Sequence, residues 1–234
     1  MKCTVQPVTR PHFGRDGVGM VEAGAWRLGT AQRQEAAVDA LARTWAGRPW
    51  PAAELLSYTV LAGTDGDSLF HYAQWADEAA YEKFLRTGRE DRDAEVDAAV
   101  PGIVREGLHR YLPDRTTGRA TATPGCVVIV EAAFDPEAPH AARTFVDLVV
   151  DALATDPAPA AGGISANFHR DALGTRMLNY AEWTDAQAHA EALAAPGTGI
   201  GSDTEAWHRV LSFPALSHNS VRRYVPAFTL APRI

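Results

Sequence analysis

Two pairs of side chains stand out by type and spacing: His71 with Trp75, and Asn179 with Trp183, each a polar group followed four residues later by an indole. On a strand, residues two apart share a face, so Leu69, His71, Ala73 and Trp75 look one way while Phe70, Tyr72 and Gln74 look the other. The same arithmetic groups Met177, Asn179, Ala181 and Trp183. A rise of about 3.4 Å per residue separates polar group from indole by roughly 13–14 Å, the width of a small polycyclic ligand. Six residues past each tryptophan stand Tyr81 and His189, on the first turns of a following helix, where they can lean over the same pocket. In the neighbouring segments Ser165, Asn167 and His169 alternate with Ala166 and Phe168, as Ser57 and Thr59 alternate with apolar residues; polar groups at this density on one strand face need partners or a ligand. An aromatic at a strand end is commonly core, however, and a lone histidine is commonly a hydrogen-bonded structural group. Composition and spacing therefore stop at a duplicated α+β domain with a pocket.

The duplication is what must position these residues. His71-Tyr72-Ala73-Gln74-Trp75-Ala76-Asp77 returns 108 positions later as Asn179-Tyr180-Ala181-Glu182-Trp183-Thr184-Asp185. An ungapped register aligns Gly17 with Gly125, Val38-Asp39 with Val146-Asp147, Ser57 with Ser165, Gly66 with Gly174 and Leu85 with Leu193. By Arg110-Tyr111-Leu112-Pro113 and Arg223-Tyr224-Val225-Pro226 the offset is 113, so the second copy carries a short insertion near or beyond its second helix.

Each copy reads strand, helix, strand, strand, helix, strand. Strands are expected over 20–26 and 127–134. A helix capped by Thr30 runs to about Ala46 with Ala37, Leu41 and Trp45 on one stripe, and its twin covers 140–154. Hairpins pair 57–62 with 68–75 and 164–170 with 175–183 around loops rich in Gly and Asp. Asp77 and Asp185 can cap second helices over 78–86 and 186–194, and final strands over 107–112 and 221–225 close each unit. This β-α-β-β-α-β order is the split ferredoxin-like unit. An open sheet with helices on one face must bury its other face, and the second copy is the natural cover, which makes the fold class α+β, two tandem ferredoxin-like repeats forming an intrachain dimeric α+β barrel. The expected domains are an N-terminal extension 1–16, repeat 1 over 17–113, a linker 114–124, repeat 2 over 125–228 and a tail 229–234.

Of the 234 residues, 46% are hydrophobic and 22% charged, an ordinary globular mix. The net charge of −7, without a Lys/Arg cluster interleaved with aromatics, argues against nucleic acid or an anionic membrane as partner. No stretch has the apolar length of a signal peptide core or a membrane span, so a cytoplasmic location is expected. Cys3 and Cys126 are too few and too scattered for a disulfide framework or a zinc site.

The hairpin Ser57-Tyr58-Thr59-Val60-Leu61 to Leu69-Phe70-His71-Tyr72-Ala73-Gln74-Trp75, followed by Asp77-Glu78-Ala79-Ala80-Tyr81, resembles the antibiotic biosynthesis monooxygenase family of dimeric α+β barrels over most of both copies. Members acting on aromatic polyketides oxidise anthrones to quinones with molecular oxygen and neither metal nor flavin. The resemblance implies an Asn, a Trp and a Tyr in the pocket. The first copy offers His71, Trp75 and Tyr81 and the second Asn179, Trp183 and His189; neither has the complete set. It implies further that Asn179 and the Trp183 indole N–H hydrogen-bond developing oxyanions, that His169 or His189 moves the proton, and that His71 takes the base role in the first copy. The implied partners are an aromatic small molecule and oxygen, with no cofactor or metal, in a monomeric pseudodimer or a homodimer. A polyketide cyclase and a non-catalytic small-molecule or haem-binding protein remain alternatives of the same fold.

Overall fold

A computed structural model describes residues 5–118 and 122–233. Cys3 and part of the expected linker lie outside the described residues. The chain contains β1 (Val5–Val8), β2 (Met20–Arg27), α1 (Ala31–Ala46), β3 (Leu55–Gly63), β4 (Ser68–Trp75), α2 (Glu78–Thr87), α3 (Arg89–Ala99), β5 (Val104–Arg105), β6 (His109–Gly118), β7 (Cys126–Phe134), α4 (Ala141–Thr155), β8 (Gly163–Arg170), β9 (Arg176–Trp183), α5 (Ala186–Ala194), α6 (Glu205–Leu211) and β10 (Leu216–Pro232). It divides into two compact units, unit 1 being Met1–Arg110 with Tyr224–Ile234 and unit 2 being Tyr111–Arg223. The class is α+β.

Local chemistry explains the elements. Thr30 caps α1 by accepting from the Arg33 amide at 3.3 Å, and Asp77 and Asp185 cap α2 and α5 by accepting from the amides of Ala80 and Ala188 at 2.8 Å. Asp65 Oδ1 ties the β3–β4 turn by accepting from the amides of Asp67 and Ser68, and Asp171 Oδ1 does the same for Thr175 and Arg176 in the β8–β9 turn. The α1 stripe of Ala37, Leu41 and Trp45 is buried as its four-residue spacing predicts, with Trp45 stacked on Tyr58 at 4.2 Å between centroids.

Unit 1 has the strand order β10-β3-β4-β2, with β1 outside β10 and β5 on β2; unit 2 has β6-β8-β9-β7. The final strands differ from expectation. Instead of short strands closing their own copies, β6 pairs with β8 (Leu112 opposite Arg170, Gly118 opposite Ser165) and β10 with β3 (Tyr224 opposite Gly63, Leu230 opposite Tyr58). Both are long because Pro113 and Pro226, which look like strand ends, sit where the register shifts. A bulge absorbs the missing N–H without breaking the strand. Residues 114–118 of the expected linker are thus strand, and β1 in the expected N-terminal extension pairs with the chain end, Val8 opposite Thr229.

The repeat register also needs one correction. Met20 lies opposite Trp75 and Cys126 opposite Trp183, while the Gly19 and Gly125 amides bond to the Trp75 and Trp183 carbonyls. The structural counterpart of Gly125 is Gly19, not Gly17. An offset of 106 on the first strands and 108 on the hairpins means that the second copy gains two residues between β7 and α4. The larger insertion falls between α5 and α6.

Candidate functional site

In unit 1 a cavity of about 60 Å³ lies between the sheet and its helices. The sheet supplies Glu22 and Trp26 from β2, Tyr58 from β3, and His71, Ala73 and Trp75 from β4; α1 supplies Leu41 and Trp45, α2 Phe84, and α3 Arg89, Arg92, Asp93 and Val96. The alternation argument holds for the first copy, since His71 and Trp75 share this face. Gly24, opposite His71, is glycine for a reason: a Cβ there would lie 2.2 Å from the Gly107 carbonyl oxygen. Its absence lets the 107–108 segment cross the sheet, so that Leu108 joins the cavity wall.

His71 is buried between Trp26, 4.1 Å away between ring centroids, and Tyr58, whose hydroxyl meets its Nδ1 at 2.7 Å. Burial, reinforced by the positive charges of Arg89 and Arg105, lowers its pKa to about 3, so the imidazole is neutral. A phenol O–H is a stronger donor than an imidazole N–H, and an imidazole nitrogen is a stronger acceptor than a phenol oxygen. Tyr58 therefore turns its own proton to Nδ1, and His71 carries its hydrogen on Nε2. That Nε2 and Trp75 Nε1 are both buried without a hydrogen-bond partner among the described residues. Two neutral N–H donors thus line one aromatic cavity.

A carboxylate lies between them. Glu22 sits directly across from Ala73, diagonal to both His71 and Trp75, with its side chain only 12% exposed. Its Oε1 accepts the Tyr81 hydroxyl at 2.8 Å and Arg89 Nη1 at 3.3 Å, while Arg89 Nε reaches Asp93 at 3.1 Å. Desolvation raises the Glu22 pKa against the opposing pull of Arg89 and the Tyr81 hydrogen bond. Tyr81, expected to lean over the pocket, packs edge-on against Trp75 and reaches the site through Glu22. Arg92 stacks over Trp45 and Phe84 and donates to the Gly88 and Pro49 carbonyls, which fixes α3 against the loop after α1.

Unit 2 uses the equivalent positions differently. Trp183 is buried and meets His189 edge-on at 4.9 Å, as Trp75 meets Tyr81. His189 Nδ1 accepts from Arg223 Nε at 2.8 Å, and burial together with that charge lowers its pKa to about 4. Asn179 Oδ1 accepts the backbone amide of Asn167 at 3.2 Å. Val128 holds the place of Glu22, since Val128 lies opposite Ala181 as Glu22 lies opposite Ala73. Around Trp183 the packing is aliphatic, with Val128, Val130, Ala188 and Ala192.

One expected site residue does not join the others. His169 lies opposite Leu178, whereas Asn179 lies opposite Phe168. In a period-two strand this puts His169 with Ser165, Asn167 and Glu182 on the sheet face away from Asn179 and Trp183. The Ser165 hydroxyl there donates to Glu182 Oε2 at 2.7 Å and receives the Asn167 amide. Burial lowers the His169 pKa to about 4. Ser57 and Thr59 face away from the unit 1 cavity for the same reason, pairing with Gln74 and Tyr72.

Sequence reasoning missed Glu22, Tyr58, Trp26, Arg89 and Asp93. A glutamate inside the short run Met20 to Trp26 was the available signal for the first; nothing in α3, a strongly polar helix, marks Arg89. Among the described residues, no group of three or more His, Cys, Asp or Glu is placed to hold a metal ion, and no helix is long and apolar enough to cross a membrane.

No protein-family model matches this sequence, and no curated protein matches it. Solved structures do. An anthrone oxidase-like protein is similar over 96% of this chain and 95% of its own, with a TM-score of 0.70 and 13% identity. A candidate monooxygenase from Fusobacterium nucleatum subsp. nucleatum is similar over 93% and 96%, with a TM-score of 0.59 and 7% identity. Another from Lactobacillus acidophilus NCFM is similar over 92% and 96%, with a TM-score of 0.57 and 12% identity. The chain shares their fold over at least 92% of its length.

Proposed function

We propose that this chain is a cofactor-independent monooxygenase that oxidises an aromatic polyketide-type substrate, an anthrone or related polyphenol, with molecular oxygen in secondary-metabolite (antibiotic-type) biosynthesis, and that unit 1 houses the site. One observation carries the reading: two neutral donors, His71 Nε2 and Trp75 Nε1, are buried and unpartnered in an aromatic-walled cavity. A buried donor without a partner costs about 1–3 kcal/mol, so the arrangement is favourable only if a ligand oxygen meets it. Neutral donors suit an oxyanion that develops during reaction, because they need no ionisation and are already oriented. The fold shared with an anthrone oxidase-like protein supports the substrate class.

The chemistry needs little more. An anthrone that loses its methylene proton becomes an electron-rich enolate, whose oxygen the two N–H groups hold. The enolate passes an electron to oxygen and the radical pair combines, forming a carbon–oxygen bond. The resulting hydroperoxide loses water to leave the quinone carbonyl. One methylene and one O2 become one C=O and one water, so atoms and electrons balance. At about 60 Å³ the cavity has room for a few waters. A tricyclic ligand must therefore push a wall outward, and α3 forms much of the helical side.

The test is oxygen uptake with a model anthrone after exhaustive chelation. One O2 consumed per quinone formed supports the reading, and activity that disappears with the metal refutes it. Cyclisation of a polyketide chain would use the same donors on an enolate but consume no oxygen, so the oxygen electrode separates the two. Trp75→Phe removes one donor and is expected to lower kcat by about 10²–10³-fold.

A further inference from the structure

We propose that Glu22 is the general base of this site and that unit 1 alone turns over substrate. The proposal rests on the reading above and deepens it. Glu22 stands at the middle of the donor pair, across from Ala73. Tyr81 and Arg89 both bind Oε1, and no described residue donates to Oε2, which leaves that oxygen for a substrate proton. The other titratable groups nearby are already committed. His71 uses Nδ1 to accept from Tyr58 and presents a hydrogen on Nε2, so it acts as a donor. Tyr81 spends its proton on Glu22, and Asp93 is tied to Arg89.

In the reaction, Glu22 Oε2 takes the proton of the anthrone methylene, the C–H pair moves into the ring system, and the enolate oxygen gathers the charge against His71 and Trp75. After oxygen adds, the protonated Glu22 returns its proton to the peroxide anion; the carboxylate then takes the second methylene hydrogen as the O–O bond breaks, the C–H pair forms the carbonyl, and Glu22 passes that proton to the departing hydroxide, which leaves as water. Charges face Glu22 from every element around it: Arg89 and Asp93 from α3, Tyr81 from α2 and Arg110 from β6. Tyr81 and Arg89 are positioning residues, fixing one oxygen so that the other points to substrate.

Unit 2 lacks this machinery. Val128 replaces Glu22, and the residue corresponding to Tyr81 is His189, bound to Arg223. Among the described residues, no carboxylate stands between Asn179 and Trp183 on that face.

The experiment uses the full chain and compares wild type with Glu22→Gln, Glu22→Asp, Arg89→Met and Trp183→Phe. Glu22→Gln is expected to lower kcat about 10²–10⁴-fold while binding the anthraquinone product within a few-fold of wild type, read by tryptophan quenching. Its residual rate should rise tenfold per pH unit, because hydroxide replaces the lost base, where wild type levels off. Glu22→Asp should recover part of the rate. Arg89→Met should move the acid limb of the wild-type profile to higher pH, because Arg89 favours the ionised carboxylate; a merely structural role would leave the limb where it is. Trp183→Phe should keep the wild-type rate. If wild type consumes no oxygen with any anthrone, the monooxygenase reading itself fails. If wild type is active and Glu22→Gln stays within threefold of it, or Arg89→Met leaves the acid limb unmoved, the base assignment is overturned. Loss of turnover in Trp183→Phe overturns the single-site assignment.

Discussion

Lowering the pH should destabilise the fold through His71, and the size of the effect follows from its surroundings. In the folded chain this imidazole stays neutral down to about pH 3, held by burial and by the charges of Arg89 and Arg105. Once unfolded it protonates near the ordinary value of about 6.5. The unfolded state therefore binds the extra proton between pH 6.5 and 3, so this contribution is complete above pH 6.5 and disappears as pH falls through that window. Relative to pH 8, the loss from this one group is about 2 kcal/mol at pH 5 and reaches about 5 kcal/mol below pH 3. Domain stabilities are commonly about 5–15 kcal/mol, so a loss of this size is measurable.

The clean perturbation is His71→Asn, which puts the residue of the second copy at this position and removes the titration. The variant loses packing against Trp26 and the bond from Tyr58, so it is less stable at every pH. Its slope is the informative quantity. The drop in unfolding free energy from pH 8 to pH 5 should be smaller than in wild type by about 2 kcal/mol. His169 and His189 titrate alike in both proteins and cancel. Urea unfolding followed by fluorescence suits the purpose, because Trp26, Trp45, Trp50 and Trp75 all belong to unit 1. Parallel stability profiles for the two proteins, or a His71 ring resonance titrating near pH 6.5, would refute the reasoning.

Three further outcomes follow from the contacts. Tyr58→Phe leaves His71 Nδ1 buried without its donor and should cost about 1–3 kcal/mol, read from the urea midpoint. Asp77→Ala and Asp185→Ala each remove a 2.8 Å cap and should cost about 1 kcal/mol apiece in thermal melts, since the two helices use the same device. Arg223→Met removes the charge that helps hold the His189 pKa down, so an NMR titration should find it above its present value of about 4 yet still below 6.5, because burial remains the larger cause.

Much of the fold was legible because it is written in backbone requirements. Caps at Thr30, Asp77 and Asp185, the Asp-rich hairpin turns and the α1 stripe each need particular residue types at fixed offsets, so pattern reading finds them. The final strands were not legible, because Pro113 and Pro226 read as stops and only the bulges show that the ladder continues past them. Within the site, the shared face of His71 and Trp75 followed from strand periodicity alone. Which face His169 takes depends on cross-strand register, and alternation within β8 cannot supply it. Glu22 escaped notice because a charged residue in a short, weakly alternating strand reads as a solvent-facing position. Its value comes from Tyr81 and Arg89, far away in sequence.

The two copies show which constraints belong to the scaffold and which to the cavity. Some positions keep their residue in both copies: Asp77 and Asp185, which cap helices, Ser57 and Ser165, whose hydroxyls donate to Gln74 and Glu182 on the neighbouring strand, and the buried pair Trp75 and Trp183. Most residues that line the unit 1 cavity from the sheet, or hold one that does, differ: Glu22 against Val128, Trp26 against Ala132, Tyr58 against Ala166, His71 against Asn179, Tyr81 against His189; Ala73 and Trp75 are kept as Ala181 and Trp183. Each replacement removes part of a connected set. Without Tyr58 there is nothing to fix a histidine tautomer at position 179, and an amide that accepts from the Asn167 backbone needs no such partner. Without Glu22 a phenol at position 189 would have no acceptor, and a histidine taking the Arg223 proton donor satisfies both groups instead. The unit 2 substitutions are thus mutually consistent as a set of packed, internally hydrogen-bonded groups, just as the unit 1 residues are mutually consistent as a site that holds an anion and accepts a proton.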